Sequence, residues 1–201
     1  MKNFSRIGYI HIPKTAGRTI RQTLGRHGLV LPPKVRGTSV HFRYEQLKDR
    51  NYDFYFSTIR DPLDWLQSFY FFSGFHANKK SKIDRKLSRL SFDEFIMTDY
   101  YNILKTKFGH LKQSDWVKNL PIENLLRVSH LQDDLNAFCK EHDLITVKLN
   151  STGVNSKRNR SFKPNEETLK KIKKVFAEDY DLINKLNNYR DVKSSMELVY
   201  D

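Results

Sequence analysis

Residues 7–19 read Ile-Gly-Tyr-Ile-His-Ile-Pro-Lys-Thr-Ala-Gly-Arg-Thr, an apolar run that passes straight into a small, basic, hydroxyl-bearing turn. Ile7, Tyr9, Ile10 and Ile12 favour a strand, and Pro13 ends its ladder because it has no N–H to give. Gly17 suits a tight turn, and a helix is expected to start near Thr19. The exposed N–H groups of that helix start, the hydroxyls of Thr15 and Thr19, and the cations of Lys14 and Arg18 converge in this reading on one anion, a phosphate or a sulfate ester. The turn is not a nucleotide-triphosphate loop of the GxxxxGK[ST] kind, because Lys14 precedes the glycine instead of following it. A kinase using that loop is therefore disfavoured.

Outward from this stretch the chain alternates. Tyr52 to Ile59 is rich in β-formers with few polar positions, as a central parallel strand reads. Arg60-Asp61-Pro62 follows it, with Asp61 fit to cap a helix and Pro62 fit for the first helical position. Leu125–Val128 is a third short strand, followed by an amphipathic helix with Leu131, Leu135 and Phe138 on one side. Ser91 and Glu94 form a capping box that opens a helix burying Phe92, Phe95 and Ile96. From Asn165 onward, Leu169, Ile172, Val175, Phe176, Tyr180, Ile183 and Leu186 recur at helical spacing, which predicts one long helix packed on the sheet. Residues 31–39, with paired prolines, predict a surface loop leading to His41 and a short helical stretch over residues 44–49.

The chain of 201 residues is long enough for a single domain spanning 1–201. Its formal net charge of +13 favours anionic partners without choosing among them. The one cysteine, Cys139, excludes an internal disulfide and suggests a reducing compartment; its apolar setting is that of a buried helix face. No stretch approaches the roughly 20 apolar residues of a membrane span, and no signal-peptide core opens the sequence, so a soluble, cytoplasmic protein is expected.

His11-Ile12-Pro13-Lys14-Thr15-Ala16-Gly17-Arg18-Thr19 resembles the 5′-phosphosulfate loop of sulfotransferases that use 3′-phosphoadenosine 5′-phosphosulfate (PAPS), in particular the carbohydrate (heparan- and uronyl-type) branch. The usual loop reads Pro-Lys-Thr-Gly-Gly-Thr-Ser, so Ala16 and Arg18 are departures. Arg60 at a strand end and Ser68 on the next helix are similar to the pair that holds the 3′-phosphate in that family, although relatives often carry Arg where this chain has Trp65. The resemblance covers most of residues 7–186, with these two segments specific and the rest permissive.

The family implies a three-layer, P-loop-like α/β domain with a mainly parallel central sheet flanked by helices. It implies transfer of a sulfuryl group from PAPS to a hydroxyl, or less readily an amine, with adenosine 3′,5′-bisphosphate as product and no metal. Carried onto this sequence, Lys14 and His41 are the catalytic candidates. Pro13, Lys14, Thr15, Ala16, Gly17, Arg18, Thr19, Arg60 and Ser68 are the donor-binding candidates, joined by Asn155, Lys157 and Arg158 from a basic loop before the last helix. His41 fits a base because a neutral imidazole titrates in the right range, and Glu45 stands as the alternative.

The basic run Lys79, Lys80, Lys82, Arg85, Lys86 and Arg89, with Asp84 as its only acid, could steer an anionic acceptor such as a glycan or an acidic small molecule. It lacks interleaved aromatics, so nucleic acid is not the expected partner. Tyr100, Tyr101, Phe108 and Trp116 could line an acceptor cleft or fill a core. Two other functions stay open: a P-loop-type nucleotide or small-molecule kinase, and a polyanion- or RNA-binding module without catalysis. The sequence names neither the acceptor nor the oligomeric state.

Overall fold

A computed structural model describes residues 6–26, 41–72, 82–149 and 163–200. Among them three strands form one sheet: β1 (Ile7–Ile10), β2 (Phe54–Ile59) and β3 (Leu125–Arg127), in the order β1-β2-β3 with both pairings parallel. Ile7 lies opposite Phe54 and Ile10 opposite Ser57; on the other edge of β2, Ser57 lies opposite Leu125 and Ile59 opposite Arg127. Every residue of β1 is buried, and so are the last four of β2. Alternate side chains leave a strand on opposite faces, so burial without alternation means cover on both faces, which the unbroken apolar runs anticipated.

The described helices are α1 (Gly17–Arg26), α2 (Tyr44–Leu47), α3 (Pro62–Phe71), α4 (Lys82–Leu87), α5 (Phe92–Met97), α6 (Ile103–Phe108), α7 (Gln113–Trp116), α8 (Leu131–Glu141), α9 (Glu166–Val175) and α10 (Ala177–Tyr200). The chain divides into two compact units, each assembled from separated segments. The first takes residues 1–60, 113–151 and 181–201 and holds the whole sheet; the second takes residues 61–112 and 152–180.

In the first unit, Tyr9 and Phe56 stack at 4.9 Å between ring centres, and Phe56 meets Phe138 of α8 at 5.2 Å. Ile20 and Leu24 of α1, Leu126 of β3, and Leu135 and Cys139 of α8 complete that core. At the end of β3, Asp134 closes a buried clamp on Arg127. One carboxylate oxygen accepts the Arg127 backbone N–H at 2.6 Å and its Nε at 3.0 Å, and the other accepts Nη2 at 2.8 Å. Arg190 of α10 donates to the carbonyls of Glu123 and Leu125, which fastens that helix beside β3.

In the second unit, Ser91 and Glu94 form the expected capping box, with Ser91 Oγ accepting from the Glu94 N–H at 3.1 Å and the Glu94 carboxylate accepting from the Ser91 N–H at 2.7 Å. α5 packs on α3 through Phe95, which lies 5.5 Å from Tyr70 and 6.3 Å from Phe69. Tyr101 is buried 5.8 Å from Phe176, and Trp65 lies 6.3 Å from the same ring.

The long helix expected from Asn165 onward is two helices. Asn165 caps α9 as anticipated, accepting from the Thr168 N–H at 2.8 Å, but Phe176 leaves helical geometry (φ −106°, ψ 26°) before α10 begins. Phe176 is fully buried, and its carbonyl takes the N–H groups of both Asp179 and Tyr180, so the chain re-starts with its backbone satisfied. The break leaves the apolar spacing intact, which is why periodicity does not report it.

Candidate functional site: an anion-binding turn

The link from β1 to α1 has an unusual backbone. Lys14 and Ala16 stand in the left-handed region at φ 69° and 65°, while Thr15 between them and Gly17 after them do not. A φ that alternates in sign turns successive N–H groups toward one side, and such a concavity of amides is an anion cradle. Side-chain-bearing residues pay for this conformation with roughly 1–2 kcal/mol each. Strain of that size persists only where the surroundings enforce it, and it gathers at functional sites.

What enforces it is a hydroxyl network beneath the turn. Thr15 is fully buried; its hydroxyl donates to the Ile12 carbonyl at 2.9 Å, and the Thr58 hydroxyl donates to the Thr15 carbonyl at 2.6 Å. Carbonyls only accept, so both threonine protons are committed. The Tyr9 hydroxyl, 2.8 Å from Thr58 Oγ1, is then the donor of that contact. Burial pushes the Tyr9 phenol up to about 12, so it stays protonated for this role. The structure thus turns the Thr15 hydroxyl, which the sequence aimed at the ligand, down against β2. What Thr15 can offer an anion is its N–H. Thr19 stands half-buried in the first turn of α1, Ala16 is half-buried, and Pro13 is buried beneath the loop.

Gly17 serves a different purpose from the one its position suggests. It is the first residue of α1, and a Cβ placed there would lie 1.9 Å from His11 Nε2. The glycine is required by the approach of an imidazole, whereas the positive φ angles fall on its non-glycine neighbours.

Around this cradle the charge is one-sided. Lys14 is held down to about 8, first by burial and then by the charges of Arg60 and Arg18. Arg18 is exposed in the first turn of α1, and Arg60 is half-buried one residue past the end of β2. The first turn of α1 contains no acidic residue. A helix start with no acid in its first turn and cations beside it works against its own dipole. A bound anion reverses that balance.

Gln113 sets the position of Arg60, and nothing local in the sequence marks it. Its fully buried amide accepts the Arg60 backbone N–H at 3.0 Å and donates to the Arg60 carbonyl at 2.7 Å, so the strand end is gripped as a further strand would grip it.

His41 packs against the start of the same turn. Its Nδ1 lies 2.8 Å from the His11 carbonyl, which can only accept, so Nδ1 carries the proton and Nε2 the lone pair. Its ring centre lies 4.5 Å from that of His11 and 6.0 Å from that of Trp116. Burial lowers the His41 pKa from the ordinary imidazole value, against the raising effect of the His11 carbonyl, and Arg21 lowers it further. The ring is therefore neutral near pH 7, as a base must be. His11 is pushed down to about 3 by burial, His41 and Arg21, and its Nδ1 is buried without a hydrogen-bond partner. Glu45, the alternative base, has its carboxylate bound to Lys48 at 2.7 Å and Asn119 at 2.8 Å; these bonds lower its pKa, the one to Lys48 most.

The other candidates divide. Ser68 is half-buried on α3 in the second unit. Asn155, Lys157 and Arg158 lie outside the described residues, as do Lys79 and Lys80. Arg85 and Arg89 are exposed, and Lys86 sits 4.8 Å above the Tyr100 ring. Of the four aromatics, Tyr101 and Trp116 are core, while Tyr100 and Phe108 are half-buried. Cys139 is buried, and burial raises its thiol to about 11, far from a nucleophile's range. Among the described residues no group of His, Cys, Asp and Glu is arranged to hold a metal ion, and no helix is long and apolar enough to cross a membrane. No family model, no curated protein and no solved structure matches the chain.

Proposed function

We propose that the turn binds the 5′-phosphosulfate of PAPS and that the protein transfers its sulfuryl group to a hydroxyl of an acceptor. The observation that carries this reading is the cradle itself: left-handed Lys14 and Ala16, with the charges of Arg60 and Arg18 acting on Lys14 and no acid in the first turn of α1. The left-handed Ala16 occupies the position where the resembled loop has glycine, which is the residue that conformation favours. In this reading the sheet belongs to a three-layer, P-loop-like fold, and ligands sit at the carboxyl ends of its strands, where Lys14 and Arg60 stand.

The acceptor oxygen attacks sulfur while the bond from sulfur to the phosphate oxygen breaks. The acceptor proton passes to His41 Nε2, and the electron pair of the breaking bond stays with adenosine 3′,5′-bisphosphate. Lys14, charged below about pH 8, meets the negative charge that grows on the departing oxygen. Arg60 takes the 3′-phosphate, for which a forked and permanently charged donor is suited; Ser68 and the basic loop bearing Asn155, Lys157 and Arg158 are assigned by the resemblance alone. The single buried cysteine is compatible with a reducing compartment such as the cytoplasm.

Calorimetry with adenosine 3′,5′-bisphosphate and with ATP tests the reading. Tight binding of the bisphosphate without magnesium, weakened by Arg60→Ala, is the expected result. Preference for magnesium-ATP would make the protein a kinase, and indifference to both nucleotides alongside salt-sensitive RNA binding would make it a polyanion module; either outcome overturns the proposal.

A further inference from the structure

We infer that Gln113 is the positioning residue for the second phosphate of the nucleotide: its side-chain amide extends β2 by one residue and so aims Arg60 at the anion-binding turn. The inference rests on the donor reading above for the identity of the ligand, whereas the grip on Arg60 stands on the fold. The last pairing of β2 with β1 is Ser57 opposite Ile10, and the last with β3 is Ile59 opposite Arg127. Arg60 therefore lies one step past both ladders, and neither fixes its direction. The Gln113 amide does so instead, accepting the Arg60 N–H at 3.0 Å and donating to the Arg60 carbonyl at 2.7 Å.

A single primary amide reaches the N–H and the C=O of one residue only where both point to the same side. They do so in extended chain, whereas in a helix they point in opposite directions along the axis. The two bonds thus require Arg60 to be extended, and the alternation of β2 runs through it. Phe56, Thr58 and Arg60 then leave the strand on one face. The turn is built on that face: Phe56 stacks on Tyr9 at 4.9 Å between ring centres, and the Thr58 hydroxyl donates to the Thr15 carbonyl at 2.6 Å. Lys14, next to Thr15, registers the result, since burial and then the charge of Arg60 hold its pKa down to about 8.

Gln113 is fully buried and opens α7, whose other end is anchored by the buried Trp116. An apolar side chain of equal length would fill that space without the penalty of burying an amide, and the bonds to Arg60 offset that penalty. A long arginine loses rotamer freedom on gripping a phosphate, and a root held in one direction lessens that loss. AMP offers a phosphate to the cradle and none to Arg60, while adenosine 3′,5′-bisphosphate offers one to each. Gln113 therefore acts, by way of Arg60, on the difference between these two nucleotides.

Calorimetry compares adenosine 3′,5′-bisphosphate with AMP in the wild-type protein, in Gln113→Met, in Arg60→Ala and in the double variant. The bisphosphate is expected to bind the wild type about 10–100-fold more tightly than AMP, the range of a charge-assisted contact. Gln113→Met, which keeps the side-chain length and removes the amide, is expected to cut that preference about tenfold. In the Arg60→Ala background it cuts nothing further, because the two residues act as one unit. Should Gln113→Met fail to fold, native-state hydrogen exchange on the wild type decides. A ligand that gains from the grip must strengthen it, so the bisphosphate slows exchange of the Arg60 N–H and AMP does not. A preference that survives Gln113→Met, an equal effect of Gln113→Met with and without Arg60, or an Arg60 N–H indifferent to the bisphosphate overturns the inference and leaves the donor reading standing. Failure of both nucleotides to bind overturns the two together.

Discussion

The two strand-to-helix junctions, Ile10 to Gly17 and Ile59 to Pro62, start from similar strands and end differently. The first is long, contains two left-handed residues, and leaves the first turn of α1 without an acid. The second is short, and Asp61 closes it: one carboxylate oxygen accepts from the N–H groups of Leu63 and Asp64 at 2.9 Å and 3.2 Å, with Pro62 at the first helical position. An anion meets a left-handed turn free of acids at the first junction and a resident carboxylate at the second. Any attraction for a phosphate at the second junction must therefore come from the side chain of Arg60, whose backbone Gln113 fixes, and not from the helix start.

The largest effect that would test this contrast is on turnover. Lys14→Ala is expected to lower the rate of sulfuryl transfer by about 100-fold or more with the circular dichroism spectrum unchanged, because it removes a charge at the reacting end of the donor and adds no strain. Wild-type turnover in that variant would remove the first junction from the chemistry. Gly17→Ala comes next. Its methyl group would meet the His11 ring, and overpacking of that kind costs about 1–3 kcal/mol, to be read from urea denaturation together with lost bisphosphate binding.

The third effect separates binding from folding by pH. Lys14 releases its proton near pH 8 in the folded protein but near 10.5 in the unfolded chain. Bisphosphate affinity is expected to fall about tenfold per pH unit above that point, since the anion needs the charge. Stability without ligand moves the other way between about 8 and 10.5, because there the unfolded chain holds a proton that the folded protein has lost, and stability then rises with pH. Calorimetry and urea titrations across this window should show opposite slopes, both flattened in Lys14→Met.

Smaller effects sharpen the comparison. Asp61→Ala loses a cap and is expected to cost about 1 kcal/mol of stability while leaving bisphosphate affinity nearly unchanged; a large gain in affinity would mean that the carboxylate had been excluding an anion from the second junction. Ala16→Gly exchanges left-handed strain for unfolded-chain entropy, and a gain of about 0.5 kcal/mol in thermal or urea unfolding is expected.

Much of this was legible in the linear order of residues. Apolar runs without alternation announced parallel strands, and Asp61-Pro62 and Ser91-x-x-Glu94 announced helix starts, because those signals act within a turn or two of chain. The basic turn at Lys14 was visible for the same reason. The break at Phe176 escaped because the apolar spacing continues through it. Gln113 escaped because its partner is distant in sequence, and no local pattern ties a glutamine to a strand end.

The sequence by itself determined the parallel β-formers, the two turns that follow them and the excess of positive charge, all properties of neighbouring residues. Only the tertiary structure decided that the Thr15 hydroxyl points inward, that Gly17 makes room for His11, and that His41 meets the His11 carbonyl. The physical reason is range: propensities and caps are settled by adjacent backbone, whereas the proton inventory and electrostatics of a site depend on groups that folding brings together from far along the chain.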